Sequence, residues 1–150
     1  MKIRHFIAAA CLLAFAVVAR ADLEPWTDYE VSDQVWSVTT VKVDANMGDA
    51  YLEGLKNTWV TGNEVSKKLG QIEDYFIYRS DLPQSGDFNL MLVVRFANTE
   101  ALAPNKARYE AFMKEFGEEQ SKKTTDYAQK NYPGMREITG EYMFRRIDLK

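Results

Sequence analysis

One segment of the sequence, residues 88–96, is apolar on both faces of the strand that it predicts. Leu90, Leu92 and Val94 alternate with Met91 and Val93, so neither set of side chains is polar. Successive side chains of a strand point to opposite faces, and a face open to water normally carries polar residues. The sequence therefore predicts a central strand that is covered on both sides.

The remaining elements supply helices for one side only. β-branched and aromatic residues predict strands at residues 35–43, 72–79, 88–96 and 138–147. An amphipathic stripe predicts a first helix that starts near Asn46 and Asp49 and ends at Gly70. A second helical region follows residue 98, with a break expected within residues 117–125. The order β-α-β-β-α-β predicts a ferredoxin-like α+β fold, with a four-stranded antiparallel sheet and both helices on one face.

No further layer remains in the sequence to cover the second face of the central strand. A second copy of the chain is the simplest cover, so we expect a homodimer in which two sheets pack face to face. Residues 35–150 are long enough for one domain with its own core.

The first 21 residues have the pattern of a signal peptide. Lys2 and Arg4 form a basic start, residues 6–18 carry no charge, and Ala19 and Ala21 are small residues at the positions that a signal peptidase inspects. The apolar run is too short for a membrane span, which takes about 20 residues. We expect cleavage after Ala21 and a secreted or periplasmic protein.

The single cysteine and the single histidine, Cys11 and His5, both lie in that predicted signal peptide. The mature chain is then expected to form no disulfide and to hold no metal through thiolate or imidazole ligands. Catalysis by Ser-His-Asp or Cys-His groups is excluded for the same reason.

An acidic N-terminal arm, residues 22–34, is expected to precede the domain. It carries five acidic residues and no basic one, with Trp26 among them. Without the signal peptide the chain has 16 basic and 22 acidic residues, a formal charge of −6. An acidic surface argues against nucleic acid and anionic membranes as partners. The arm is either loose, or its Trp26 docks on its own domain or on a partner subunit.

Two passages, VWSVTTVKVDANMGDAYLEGLKNTW and DFNLMLVVRFANTE, together with the β-α-β-β-α-β order, resemble the dimeric α+β-barrel superfamily over residues 35–149. The resemblance implies a pocket between the helices and the sheet. Members of the superfamily include cofactor-free quinone-forming monooxygenases, haem-degrading monooxygenases, chlorite dismutases, dye-decolouring peroxidases, small isomerases and domains without known activity. The haem-binding members need an iron-ligating histidine, which the predicted mature chain lacks, so no cofactor is expected.

The cofactor-free members are associated with asparagine, tryptophan, arginine and tyrosine around the substrate. Residues of matching type are Tyr51, Asn57, Trp59 and Arg95, and these are the candidate ligand-binding residues. From the residues alone, Trp59 on the apolar stripe of the first helix indicates a core position, with a pocket wall as the alternative. Arg95, within an apolar strand, is compatible with an ion pair at the sheet edge or dimer seam.

Three functions remain open at this point. The chain binds a small apolar or aromatic molecule between helices and sheet, or it is a cofactor-free monooxygenase or isomerase in the same cleft, or it is a structural or interaction module with a filled cleft. In the second case Arg95 and a tyrosine polarise a substrate oxygen, while Asn57 and Trp59 position the substrate. A cavity of about 300 Å³ or more, with Arg95 or a tyrosine hydroxyl pointing into it, keeps the first two functions open, whereas a closed core favours the third.

Overall fold

The structure, a computed structural model, describes residues 22–82 and 86–150. The predicted signal peptide, residues 1–21, lies outside the described residues. Among the helices that the structure describes, none is both long and apolar enough to cross a membrane.

Within the described residues, four strands form one antiparallel sheet in the order β3-β4-β2-β5. A separate ribbon of two short strands, β1 and β6, is also antiparallel. The strands are β1 (Tyr29–Val31), β2 (Val35–Val43), β3 (Asp74–Arg79), β4 (Leu90–Phe96), β5 (Arg136–Phe144) and β6 (Ile147–Leu149). The predicted fold, an α+β ferredoxin-like sheet with the order β-α-β-β-α-β, is confirmed.

The helical segments pack on one face of this sheet. The first is continuous but changes type: α1 (Gly48–Leu55) passes through a π-helical turn (Lys56–Val60) into α2 (Thr61–Lys68). The second is broken in two, α3 (Lys106–Phe116) and α4 (Glu118–Asn131), and short 3₁₀ turns precede α3 and follow α4.

The core lies between β2, β4 and the first helix. Val41 and Leu92 face Tyr51 and Leu55, and Tyr51 and Leu55 are only 2% and 1% exposed. Complete burial of one such side chain stabilises a fold by about 1.5–3 kcal/mol. The alternation predicted for β4 is confirmed, because Leu90 and Leu92 belong to this core while Met91 and Val93 point to the opposite face.

Glycines end the helices where the sequence predicted. Gly70 (φ 67°) follows the end of α2, and Gly117 (φ 83°) separates α3 from α4. A left-handed backbone is readily adopted by glycine, which has no Cβ to clash. The predicted cap at the start of α1 is wrong, because Asn46 itself is left-handed (φ 67°) and Met47 occupies the cap position without a side-chain hydrogen bond.

The predicted last strand, residues 138–147, is two strands. β5 ends at Phe144, and β6 pairs with β1 of the acidic arm, so Val31 lies opposite Ile147. Part of the arm, Tyr29–Val31, is therefore held in a two-stranded ribbon. Trp26 remains 75% exposed and does not dock on its own domain.

The sheet face opposite the helices, here called the far face, is rich in aromatic residues. Alternation along the strands and the pairing register put one side-chain set on it. Its apolar members are Trp36, Val38, Phe76, Tyr78, Met91, Val93, Tyr142 and Phe144. Three of them, Tyr78, Tyr142 and Phe144, are about half exposed, at 48%, 48% and 51%. No described segment of this chain covers these three side chains.

Candidate functional site

A groove of about 370 Å³ opens between the helices. The π turn and α2 form one wall, and α3 and α4 form the other. The lining is predominantly apolar, with aromatic rings on both walls. The groove residues are Thr58, Trp59, Gly62, Asn63, Ser66, Phe112, Phe116, Thr124, Ala128 and Tyr132.

The π turn gives the first wall its shape. Its wider backbone loop brings the consecutive residues Thr58 and Trp59 to the groove. Side chains bind the carbonyls of this turn: the Thr61 hydroxyl donates to the carbonyl of Lys56 at 3.0 Å, and the Asn63 amide donates to that of Trp59 at 2.8 Å. Single π turns within α-helices are frequent at functional sites.

A buried hydroxyl pair forms the floor of the groove. The Thr58 hydroxyl donates to the carbonyl of Gly54 at 2.9 Å, so the Tyr132 hydroxyl donates its own proton to the Thr58 oxygen. Burial raises the pKa of Tyr132, with the neighbouring tyrosines Tyr51 and Tyr127 adding to the rise. Tyr132 is therefore held as a neutral phenol that is fixed by its partner.

Aromatic rings define the shape of the space. Phe112 and Phe116, one turn apart on α3, are stacked with ring centroids 5.1 Å apart. On the opposite wall the Trp59 ring meets the Tyr75 ring edge to face at 5.3 Å. Such surfaces favour flat aromatic partners, which stack or pack by their edges.

The four residues predicted as a binding site do not meet in one cleft. Trp59 lines the groove, but Tyr51 is a core residue packed edge to face on Tyr132 at 5.2 Å. Asn57 is exposed, and its amide donates to the carbonyl and to the side chain of Glu53. Arg95 lies on the far face of the sheet, because it alternates with the core-facing Leu92 and Val94.

The surroundings of Arg95 explain that position. Its Nε lies 3.0 Å from a carboxylate oxygen of Glu73, which also accepts a hydrogen bond from Gln34 at 2.7 Å. Its guanidinium lies 5.8 Å from the ring centroid of Trp36 and 5.9 Å from that of Phe76. Arg95 therefore forms an ion pair, as the alternative interpretation from the sequence predicted, and cation–π contacts reinforce it.

Most groove residues are not among the four candidates predicted from the sequence. The available signal for Phe112 and Phe116 is their spacing of four residues, which predicts that they share one face of a helix. Tyr132 directly precedes Pro133 and Gly134, a pattern that indicates a helix end and gives no sign of a groove residue. Because the two walls come from segments about 50 residues apart, no local pattern brings them together.

A second cavity of about 280 Å³ lies where β2 leads into α1. Val43, Leu52 and Leu90 form its apolar side. Arg79 lines it as well and pairs loosely with the fully exposed Asp49 at 4.0 Å. In residues 22–82 and 86–150 no group of three or more His, Cys, Asp or Glu side chains is arranged to hold a metal ion.

The tyrosines predict an alkaline limit to stability. Burial, together with a hydrogen bond from its hydroxyl to Glu64, raises the pKa of Tyr75 to about 12. Burial also raises the pKa of Tyr51 and Tyr132, whereas unfolded tyrosine titrates near pH 10. The stability contribution is then complete below about pH 10 and is lost as the pH rises through the folded pKa.

We expect the free energy of unfolding in urea to fall between about pH 10 and 12. Tyr75→Phe removes one titrating group, so this variant is expected to lose less stability over the same range. An equal loss in both proteins would contradict the assignment to Tyr75.

No family model and no curated protein matches this chain. Solved structures with a similar fold include protein SO0527 from Shewanella oneidensis, which is 12% identical with a TM-score of 0.49, over 81% of this chain and 99% of that one. A NIPSNAP-like domain protein from Burkholderia xenovorans is 14% identical with a TM-score of 0.44, over 79% and 85% of the two chains. A dabb family protein with a ferredoxin-like fold from Mesorhizobium loti is 10% identical with a TM-score of 0.35, over 81% and 100%. At these identities the likeness concerns the fold alone.

Proposed function

We propose that this protein is a homodimer in which each subunit binds a small apolar or aromatic molecule in the groove between its helices. The groove between the helices is the main support for the binding role. Its volume of about 370 Å³ and its apolar, aromatic lining are those of a small-molecule pocket.

The π turn supports this assignment. It places Thr58 and Trp59 side by side at the groove, while Gly62, one turn further, carries no side chain. A Cβ at Gly62 would meet no atom within 4 Å. A glycine inside a helix destabilises it by about 0.5–1 kcal/mol relative to alanine. Gly62 therefore leaves space open in the groove at a cost in helix stability.

The far face supports the homodimer. Tyr142 and Phe144 are stacked at 5.7 Å and remain about half exposed at 48% and 51%. Exposed apolar patches of this kind mark interaction sites. A second copy of the sheet supplies a matching aromatic surface, and two-fold self-complementarity is the commonest form of assembly.

A cofactor-free oxygenase that combines Arg95 with Trp59 has no support in the geometry. The two side chains lie on opposite faces of the sheet, and Arg95 is engaged by Glu73. A polarising arginine must face the substrate, and the groove residues include no arginine.

We also propose that residues 1–21 are removed as a signal peptide and that the working protein is secreted or periplasmic. The basic start, the uncharged run and the small residues before Asp22 support this. Mass spectrometry of the protein purified from its own host tests it, since an intact leader would contradict the proposal. Under native conditions the same sample can retain and reveal a groove ligand.

Filling the groove from Gly62 is expected to abolish binding. In Gly62→Leu the new side chain extends into open space, so the fold is kept while the ligand volume is lost. We expect the affinity for naphthalene, followed by its fluorescence, to fall by at least about 10-fold.

Gly134→Leu is the matched control for this variant. A Cβ at Gly134 also meets nothing within 4 Å, but Gly134 lies outside the groove. Naphthalene binding that survives Gly62→Leu, or that is lost equally in both variants, would contradict the groove as the binding site.

A further inference from the structure

We infer that the groove ligand is an uncharged aromatic molecule carrying one hydrogen-bonding substituent, and that this substituent is held by Ser66. The inference rests on the proposed binding function and adds the chemical class of the ligand. Two independent observations support it: the charge of the lining and the hydrogen bonds already made within it.

The first observation is electrostatic. None of the described residues that line the groove is an acid or a base. The charged side chains of the adjoining α2 are engaged elsewhere: Lys67 pairs with Asp74 at 2.8 Å, Lys68 pairs with Glu115, and Glu64 accepts from Tyr75. A carboxylate that entered the groove would lose water without gaining a counter-charge, and burial of an unpaired charge is strongly unfavourable.

The second observation is the state of the polar groups in the lining. The hydroxyls of Thr58 and Tyr132 bind each other. The amide of Asn63 donates to the carbonyl of Trp59, and the Thr124 hydroxyl accepts from Gln120. The protons of the Thr58 and Tyr132 hydroxyls and the amide nitrogen of Asn63 are therefore engaged within the protein, whereas the Asn63 amide oxygen and the Thr124 proton have no partner within residues 22–82 and 86–150.

The Ser66 side chain differs from them. Across residues 22–82 and 86–150 its backbone carbonyl accepts from the Gln71 amide, whereas its hydroxyl takes part in no hydrogen bond. Ser66 follows Gly62 by four residues and Asn63 by three, so it lies on the same face of α2 as the open space. A hydroxyl can both donate and accept, which suits an amide, a hydroxyl or a carbonyl on the ligand.

Three probes of one ring system separate charge from polarity. Naphthalene carries no polar group, 2-naphthamide carries a neutral one, and 2-naphthoate carries a negative charge in nearly the same shape. At neutral pH we expect 2-naphthamide to bind at least about 10-fold more tightly than 2-naphthoate. We also expect it to bind more tightly than naphthalene.

Two serine variants locate the polar contact. In Ser66→Ala the advantage of 2-naphthamide over naphthalene, measured as the ratio of the two affinities in the same variant, is expected to disappear. Ser121→Ala, a serine on α4 outside the groove lining, is the matched control and is expected to keep the advantage.

The outcomes distinguish the two levels of the proposal. Equal or tighter binding of 2-naphthoate, or an advantage that survives Ser66→Ala, overturns the ligand class and leaves the binding function standing. If none of the three probes binds in a manner that Gly62→Leu removes, the proposed binding function itself is overturned.

Discussion

Phe144→Lys is expected to convert the proposed homodimer into monomers. Phe144 is 51% exposed on the far face and stacks on Tyr142 with ring centroids 5.7 Å apart. In the proposed dimer the lysine would be buried without a counter-charge, which costs several kcal/mol at an interface. We expect the dimer dissociation constant, measured by analytical ultracentrifugation, to rise at least about 100-fold. In the monomer the lysine remains in water, so the fold is expected to survive.

Met143→Lys is the matched control for that variant. Met143 is the preceding residue of β5, is 58% exposed and points to the opposite face of the sheet. The same charge placed there is expected to leave the dimer intact. A wild-type protein that sediments as a monomer at all concentrations would contradict the homodimer. Dissociation of both variants alike would show only that charge on this strand is harmful.

Gly54→Ala is expected to destabilise the protein. A Cβ at Gly54 would lie 2.8 Å from a ring carbon of Tyr127 and 3.0 Å from one of Tyr132, closer than packed carbon atoms approach. Overpacking of this kind costs about 1–3 kcal/mol. The gain in helix propensity, about 0.5–1 kcal/mol, offsets only part of it. We expect a net loss in the free energy of unfolding, measured in urea, and a larger loss for Gly54→Val.

Gly62→Ala provides the opposite expectation within the same continuous helix. Its Cβ meets no atom within 4 Å, so only the propensity gain remains. We expect the free energy of unfolding to rise by about 0.5–1 kcal/mol. Equal effects of the two substitutions would contradict the packing of Tyr127 and Tyr132 against Gly54.

The fold was predictable from the sequence wherever a local residue pattern is compatible with only one structure. The alternation in residues 88–96 assigned both faces of β4, and Gly70 marked the end of the first helix through a backbone conformation that glycine adopts readily. The break in the second helix falls at Gly117, the first residue of the predicted interval 117–125. The division of the last strand was not predictable in this way. β6 exists because it pairs with β1, which lies more than 100 residues earlier in the chain. The residue pattern within 138–147 does not indicate that pairing.

The candidate site was less predictable because it is made by contacts between distant segments. Trp59 is a candidate by residue type, and it does line the groove. Arg95 was grouped with it by residue type, although strand alternation already assigned Arg95 to the face opposite Leu92 and Val94. The meeting of Tyr132 with Thr58 depends on tertiary packing across 74 residues of chain.

The π turn makes the groove sensitive to chain length. An α-helix advances by about 100° per residue, so deletion of one residue within Lys56–Val60 would rotate everything that follows by about that angle relative to α1. Asn63 and Ser66 would then turn away from Phe112 and Phe116 even though no residue of the wall had been replaced. In this protein the geometry of the opening is encoded by an inserted residue as much as by the side chains that surround it.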